Sequence, residues 1–179
     1  MLAALVVLLL LLPVMLAVAV AIRLSLGSGV LYRQVRIGIG GVPFTVLKFR
    51  TMGPDRRNAD EQAYEGPDRR RTHKTPDDPR HTGVGRFLRR WSLDELPQLL
   101  NVLRGDMSLI GPRPELPSVV AGYEGWEHER HTVRPGLTGL WQVEARGDGS
   151  LMRDHTDLDV RYVRELGFGT DLAIALRTL

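Results

Sequence analysis

The stretch MLAALVVLLLLLPVMLAVAVAI, Met1 to Ile22, carries no charged and no polar side chain, and Pro13 sits near its middle. At about 1.5 Å per residue, 22 helical residues reach roughly 33 Å, enough for a hydrocarbon core of about 30 Å. A spanning helix is one reading. Pro13 supplies another: it has no N–H, and its ring clashes with the carbonyl four residues back, which kinks or breaks a helix. Two halves of about 11 residues would each cover half a bilayer, so the segment would dip in and leave by the face it entered. From the residues alone the two readings stand level. No basic region precedes the apolar run and no small-residue cleavage site clearly follows it, which argues against a signal peptide. The first charge is Arg23 and all later basic residues lie on the same side, so the positive-inside bias places the remainder in the cytoplasm.

Working outward, residues 23–179 suit one domain. The chain has 24 basic and 21 acidic residues, a net charge of +3, and 22 of the 24 basic residues are arginine. A GC-rich genome that favours arginine codons explains that ratio without any function. Anionic partners explain it too, because the guanidinium is planar, stays charged and matches phosphate geometry. Such partners are lipid headgroups, phosphates or nucleic acid. There is no cysteine, which excludes disulfides, a thiol nucleophile and cysteine-ligated zinc. His128 and His131 have the spacing of one helix face, but a metal pair there is disfavoured.

The domain reads as α+β. Val30–Ile37 and Val42–Thr51 are rich in β-branched and aromatic residues, and Gly38-Ile39-Gly40-Gly41 between them supplies the turn of a hairpin. Residues 53–80 are polar and rich in Pro, Asp and Arg, an excursion with few apolar anchors. Residues 85–104 carry apolar residues at three and four, which predicts helix on either side of a break. Ser92 and Glu95 have capping-box spacing, and Pro97 falls in the first turn beyond. Arg113 lies between Pro112 and Pro114 in a rigid turn. Helices are expected near 120–131, over 157–166 and over 171–179, the last amphipathic and suited to a membrane interface.

Asp94 and Glu95 are the first candidates for chemistry. Adjacent carboxylates at a helix start are common caps. Here, however, Arg86, Arg89 and Arg90 crowd in just before them, and a helix N-terminus favours the ionised form. Asp94 is then expected to stay ionised, as a nucleophile or metal ligand, with Glu95 stabilising the arrangement or moving a proton. Carboxylates facing a diphosphate need a divalent cation, and oxygen ligands favour Mg²⁺. Lys48, Arg50, Arg89 and Arg113 are the candidate phosphate holders, each set in a rigid element. Gln142 and Arg146 are weaker candidates for reading a nucleotide. No phosphate-binding Gly-x-x-x-x-Gly-Lys-Ser/Thr loop exists, and Gly38-x-Gly40-Gly41 sits in a hairpin rather than opening a helix, so dinucleotide binding is rejected.

Taken together the motifs resemble the bacterial sugar transferases, the monotopic polyprenyl-phosphate phosphoglycosyl transferases, almost end to end. The matching blocks are Arg33-Gln34-x-Arg36-x-Gly38, Pro43-Phe44 with Lys48-Phe49-Arg50-Thr51-Met52, Asp78-Pro79-Arg80 with Thr82, and Gly85-Arg86-Phe87-Leu88-Arg89. They continue with Ser92-Leu93-Asp94-Glu95-Leu96-Pro97-Gln98, Asn101-Val102-Leu103-x-Gly105-Asp106-Met107-Ser108, Gly111-Pro112-Arg113-Pro114, Pro135-Gly136-x-Thr138-Gly139-x-x-Gln142 and Thr170-Asp171-Leu172. The resemblance implies transfer of a phospho-sugar from a UDP-sugar to undecaprenyl phosphate, with release of UMP and a requirement for Mg²⁺. It implies Asp94 as the nucleophile that forms a covalent phospho-sugar enzyme, Glu95 as its support, and Arg89 and Arg113 as phosphate holders. It also implies a re-entrant helix, residues 1–22, broken at Pro13, followed by a cytoplasm-facing catalytic domain, 23–179, at the bacterial inner membrane. Interfacial amphipathic helices complete that expected fold. The bilayer is then a partner, nucleic acid is not, and a homodimer is compatible.

The chain departs from the family pattern in places. No basic patch precedes the apolar run, the usual Ser-Pro at the break is Leu12-Pro13, and a common Gly-Arg near the end is Ala145-Arg146. Two alternatives follow: a membrane-tethered module whose arginines bind anions or nucleic acid, and a truncated, inactive family member.

Overall fold

The computed structural model describes residues 2–53, 82–145 and 155–178. All of the polar excursion but Gly53 lies outside those residues, and so does Arg146. The fold is mixed: helix α1 (Leu2–Leu26), hairpin strands β1 (Leu31–Ile37) and β2 (Pro43–Phe49), then α2 (Gly83–Arg90), α3 (Gln98–Arg104) and β3 (Ser108–Ile110). There follow α4 (Pro117–Val120), β4 (Gly136–Thr138), α5 (Leu140–Glu144), α6 (Thr156–Arg164) and α7 (Phe168–Thr178), with 3-10 turns at Leu93–Glu95 and Gly125–Thr132.

α1 is long and apolar enough to cross a membrane by length and composition. It differs from expectation at Pro13, where the helix continues instead of ending. A proline removes one amide donor, and the intact turns on either side carry the helix past it. The less exposed residues, Ala4, Leu8, Leu11, Met15, Val18 and Ile22, recur at alternating intervals of four and three along one stripe. Ala4 packs with Val46, Val102 and Met107. Val18 and Ile22 pack with Phe49 and Leu88. Both ends of the helix therefore rest on the same domain, while Leu2, Leu5, Leu9, Leu10, Leu16 and Leu24 are exposed. The helix stops at Gly27, whose φ of +77° suits only glycine at low cost. Arg50 donates to the terminal carbonyl of Leu26.

The hairpin pairs Leu31 with Phe49 through to Ile37 with Pro43. The outer edge of β2 is finished by a side chain. Asn101, fully buried in α3, accepts from the Leu47 amide at 3.0 Å and donates to the Thr45 carbonyl at 2.7 Å. One amide thus satisfies two strand groups that would otherwise be orphaned.

β3 and β4 pair in parallel, Ser108 with Gly136 and Ile110 with Thr138. Glycine permits that approach: a Cβ on Gly136 would lie 2.1 Å from the Gly111 nitrogen. Leu140, Tyr162 and Ile174 form the core beneath, uniting α5, α6 and α7. α7 begins three residues before its expected start and is two-faced, with Ile174 buried and Phe168, Leu172 and Leu176 exposed. The helix expected at 120–131 is a 3-10 turn over Gly125–Thr132, opened by a reciprocal cap between Glu124 and Glu127.

Candidate active site

The break in residues 85–104 positions the dyad. α2 ends at Arg90, and Ser92 turns the chain with a φ of +55°, in the left-handed region. The side chain of Ser92 makes no capping bond to the turn, so the Ser92–Glu95 capping box is not formed. Pro97 caps α3 from outside, one residue before its start. The reason lies in Glu95, whose carboxylate is used elsewhere.

Glu95 Oε1 accepts from Lys48 Nζ at 2.9 Å and from Arg113 Nη2 at 2.8 Å. Arg113 Nη1 adds a longer bond to Oε2 at 3.4 Å. Burial alone would raise the Glu95 pKa, but Arg113 and Lys48 outweigh it and hold the carboxyl well below the usual range. The two cations thus favour the ionised form of Glu95. Lys48 is lowered by burial and then by Arg113, with both carboxylates opposing. Arg113 is raised because Glu95, Glu115 and Asp94 outweigh its burial.

Asp94 behaves differently from its neighbour. Burial pushes its pKa up, Glu95 pushes further, and Lys48 and Arg89 offset part of the rise. The surroundings that hold Glu95 down therefore leave Asp94 shifted upward from the usual carboxylate value. A desolvated carboxylate with weakly compensating cations is a better nucleophile than a solvated or tightly paired one.

Arg89 donates through Nε to Thr51 Oγ1 at 2.8 Å. Its helix lies hard against the end of the hairpin, since a Cβ on Gly85 would sit 1.8 Å from the Thr51 carbonyl oxygen. Arg113 passes over the Trp141 ring, 5.7 Å from its centroid. Gln142, next in α5, donates to the Leu137 carbonyl at 3.5 Å, and its Oε1 is buried with no hydrogen-bond partner among the described residues. The structure therefore brings Asp94, Glu95, Lys48, Arg89 and Arg113 together, with Gln142 adjacent through Trp141. Arg50 is placed apart from them, at the end of α1.

The turn that presents Arg113 is fixed by residues from elsewhere in the chain. Every carbonyl of the Pro112-Arg113-Pro114 turn is held: Pro112 by the Gly136 amide at 2.8 Å, Arg113 by Arg130, and Pro114 by Arg36 Nη1 at 3.1 Å. Arg130 is paired in turn with Asp159 at 2.5 Å. Arg36 and Gly136 stand within the quoted motifs, but no sequence signal marked Arg130 or Asp159, because their partners lie far along the chain.

The family model described as bacterial sugar transferase matches residues 1–179. The chain is 44% identical over 174 residues to the UDP-glucose:undecaprenyl-phosphate glucose-1-phosphate transferase of Caulobacter vibrioides, covering 93% of this chain and 61% of that one. It is 42% identical over 183 residues to the exopolysaccharide production protein ExoY of Rhizobium meliloti, covering 99% and 80%. With the UDP-glucose:undecaprenyl-phosphate glucose-1-phosphate transferase of Escherichia coli it shares 40% identity over 181 residues, 97% of this chain and 37% of the longer protein.

Proposed function

This chain belongs to the bacterial sugar transferase family, and we propose on that footing that it is a phosphoglycosyl transferase acting on a UDP-sugar and undecaprenyl phosphate. The carrying observation is the asymmetry of the dyad: Glu95 is saturated by Lys48 and Arg113, while Asp94 is buried and only partly compensated. The relatives named for undecaprenyl-phosphate transfer support the choice of acceptor.

In the proposed first step an Asp94 carboxylate oxygen attacks the β-phosphorus of the UDP-sugar. A P–O bond forms, the bond from the β-phosphorus to the bridging oxygen breaks, and UMP leaves with the electron pair. In the second step an oxygen of undecaprenyl phosphate attacks the same phosphorus and expels the Asp94 carboxylate, leaving a lipid diphosphate-sugar. Splitting one displacement into two lets a single site serve a soluble donor and a lipid acceptor in turn. Lys48, Arg89 and Arg113 neutralise phosphate charge, which is most of what phosphoryl transfer asks of a protein.

Mg²⁺ fits the donor set. No three metal-ligating side chains gather among the described residues, and Glu95 is spent on its two cations. Asp94 and the donor's own phosphate oxygens would hold the ion, which supplies charge neutralisation on the diphosphate. The seating of both Ala4 and Ile22 on one domain supports a monotopic helix that lies at the membrane, in this reading the cytoplasmic face of the inner membrane, without crossing it. A helix end lying across the bilayer would have no domain to touch.

Replacing Asp94 with Asn tests the mechanism. UMP release from UDP-glucose, UDP-galactose and N-acetylated UDP-sugars with undecaprenyl phosphate is expected to vanish. The parent enzyme, given donor alone, should gain the mass of one sugar-phosphate at Asp94. Full turnover by the Asn variant would refute the assignment.

A further inference from the structure

We propose that Arg130 and Asp159 form a positioning pair that sets Arg113 for the diphosphate, an inference that rests on the reading of Arg113 as a phosphate holder. The pair is closed at 2.5 Å with both side chains almost wholly buried, 2% and 1% exposed. Burying two unit charges carries a desolvation penalty that their attraction must offset, and an apolar pair of similar volume is often as stable. Stability alone is a poor reason for such a pair, so its other contacts carry the argument.

Arg130 makes two of them. It donates to the Tyr123 hydroxyl and to the Arg113 carbonyl. Asp159 is pushed up by burial, to about 6, and held from rising further by Arg130 and by the Arg113 amide. The pair thus grips the main chain of the very residue whose guanidinium reaches Glu95. With the neighbouring carbonyls held by the Gly136 amide and Arg36, the Arg113 backbone has no slack. Its side chain leaves that clamp, crosses the Trp141 face and arrives at Glu95. Neither Arg130 nor Asp159 contacts the dyad. Both act through Arg113, and a misplacement of about 1 Å at such a position costs on the order of 10²-fold.

The test is a mutant cycle on the full chain in detergent or nanodiscs, with UDP as the probe because it carries a diphosphate without a sugar. Asp159→Asn and Arg113→Ala are made singly and together, and the Kd for UDP and the Tm are measured. The pair predicts that Asp159→Asn weakens UDP about tenfold in the parent and not at all once Arg113 is gone. The fall in Tm should be the same in both backgrounds. Equal weakening in both backgrounds, or none in either, overturns the proposal. Should Asp159→Asn fail to fold, Tyr123→Phe removes only the hydroxyl that Arg130 grips. It is expected to weaken UDP several-fold in the parent alone, and the same outcomes overturn it. If Arg113→Ala weakens UDP while the Asp159 and Tyr123 variants are silent, the positioning role fails and the reading of Arg113 stands. If Arg113→Ala is itself silent, both fall.

Discussion

Two ionic clusters meet at the Pro112-Arg113-Pro114 turn, and they differ in what they face. At the dyad, Lys48, Glu95 and Arg113 retain 18%, 12% and 23% of their side-chain exposure and open toward solvent. Behind the Pro112-Arg113-Pro114 turn, Arg130 and Asp159 are closed off from it. The same chemistry therefore performs two tasks. Where water or a ligand can enter, paired charges remain exchangeable and a phosphate can compete for the cations. Where neither can, the pair becomes a fixed part of the frame, and breaking it strands a charge.

The largest expected effect breaks the comparison from the buried side. Arg130→Ala leaves Asp159 without its partner and should lower unfolding stability by about 3–5 kcal/mol in denaturant melts. A loss under 1 kcal/mol would mean that the two clusters are alike after all. Next comes the open cluster. Arg113→Ala should reduce kcat/KM for UMP release by about 10²-fold or more, as loss of one aimed cation does, with Tm changed far less than in Arg130→Ala. If the order of the two Tm changes is reversed, Arg113 is the structural residue.

A smaller effect sharpens the buried side through pH. His131 is held down to about 4 by burial first, then by Arg130 and His128. Unfolded, it takes its proton near the ordinary 6.5. Between those values the unfolded chain binds more protons, so this group's contribution to stability is present above about 6.5 and is lost as pH falls toward 4. Asp159, raised to about 6, slopes the opposite way. The readout is therefore the difference between parent and His131→Gln: the variant should lose less stability on acidification, and parallel curves would refute the assignment. The smallest effect is a control. Arg164 and Glu129 pair at 2.6 Å on the surface, 64% and 38% exposed, and a double-mutant cycle should give under about 1 kcal/mol, vanishing in high salt.

How far the sequence reads through to these clusters depends on distance along the chain. The hairpin, the helices flanking residues 91–97 and the apolar N-terminal helix were legible because their signals are local: alternation, three-and-four spacing and glycine turns. Ser92 stands at the N-cap position but its side chain makes no cap bond, and spacing does not show that the Glu95 carboxylate goes to Lys48 and Arg113 instead. Arg50, one residue past the end of β2, looked equivalent to Lys48 as a phosphate holder. Yet the first finishes α1 at Leu26 and the second meets Glu95. Asn101 stood within a motif, but its task of completing the β2 edge needed the strand and helix in place.

By itself the sequence determined the hairpin, the apolar N-terminal helix and the helices flanking residues 91–97, because each depends on neighbours within a turn or a strand. Tertiary structure alone decided which cation meets which carboxylate. Lys48 and Glu95 are 47 residues apart, and Arg36 and Glu115 are 79. Such pairings depend on where backbones cross, at Gly85 against Thr51 and at Gly136 against Gly111. A difference of one methyl group at those crossings would move the charges apart, and no local pattern records that.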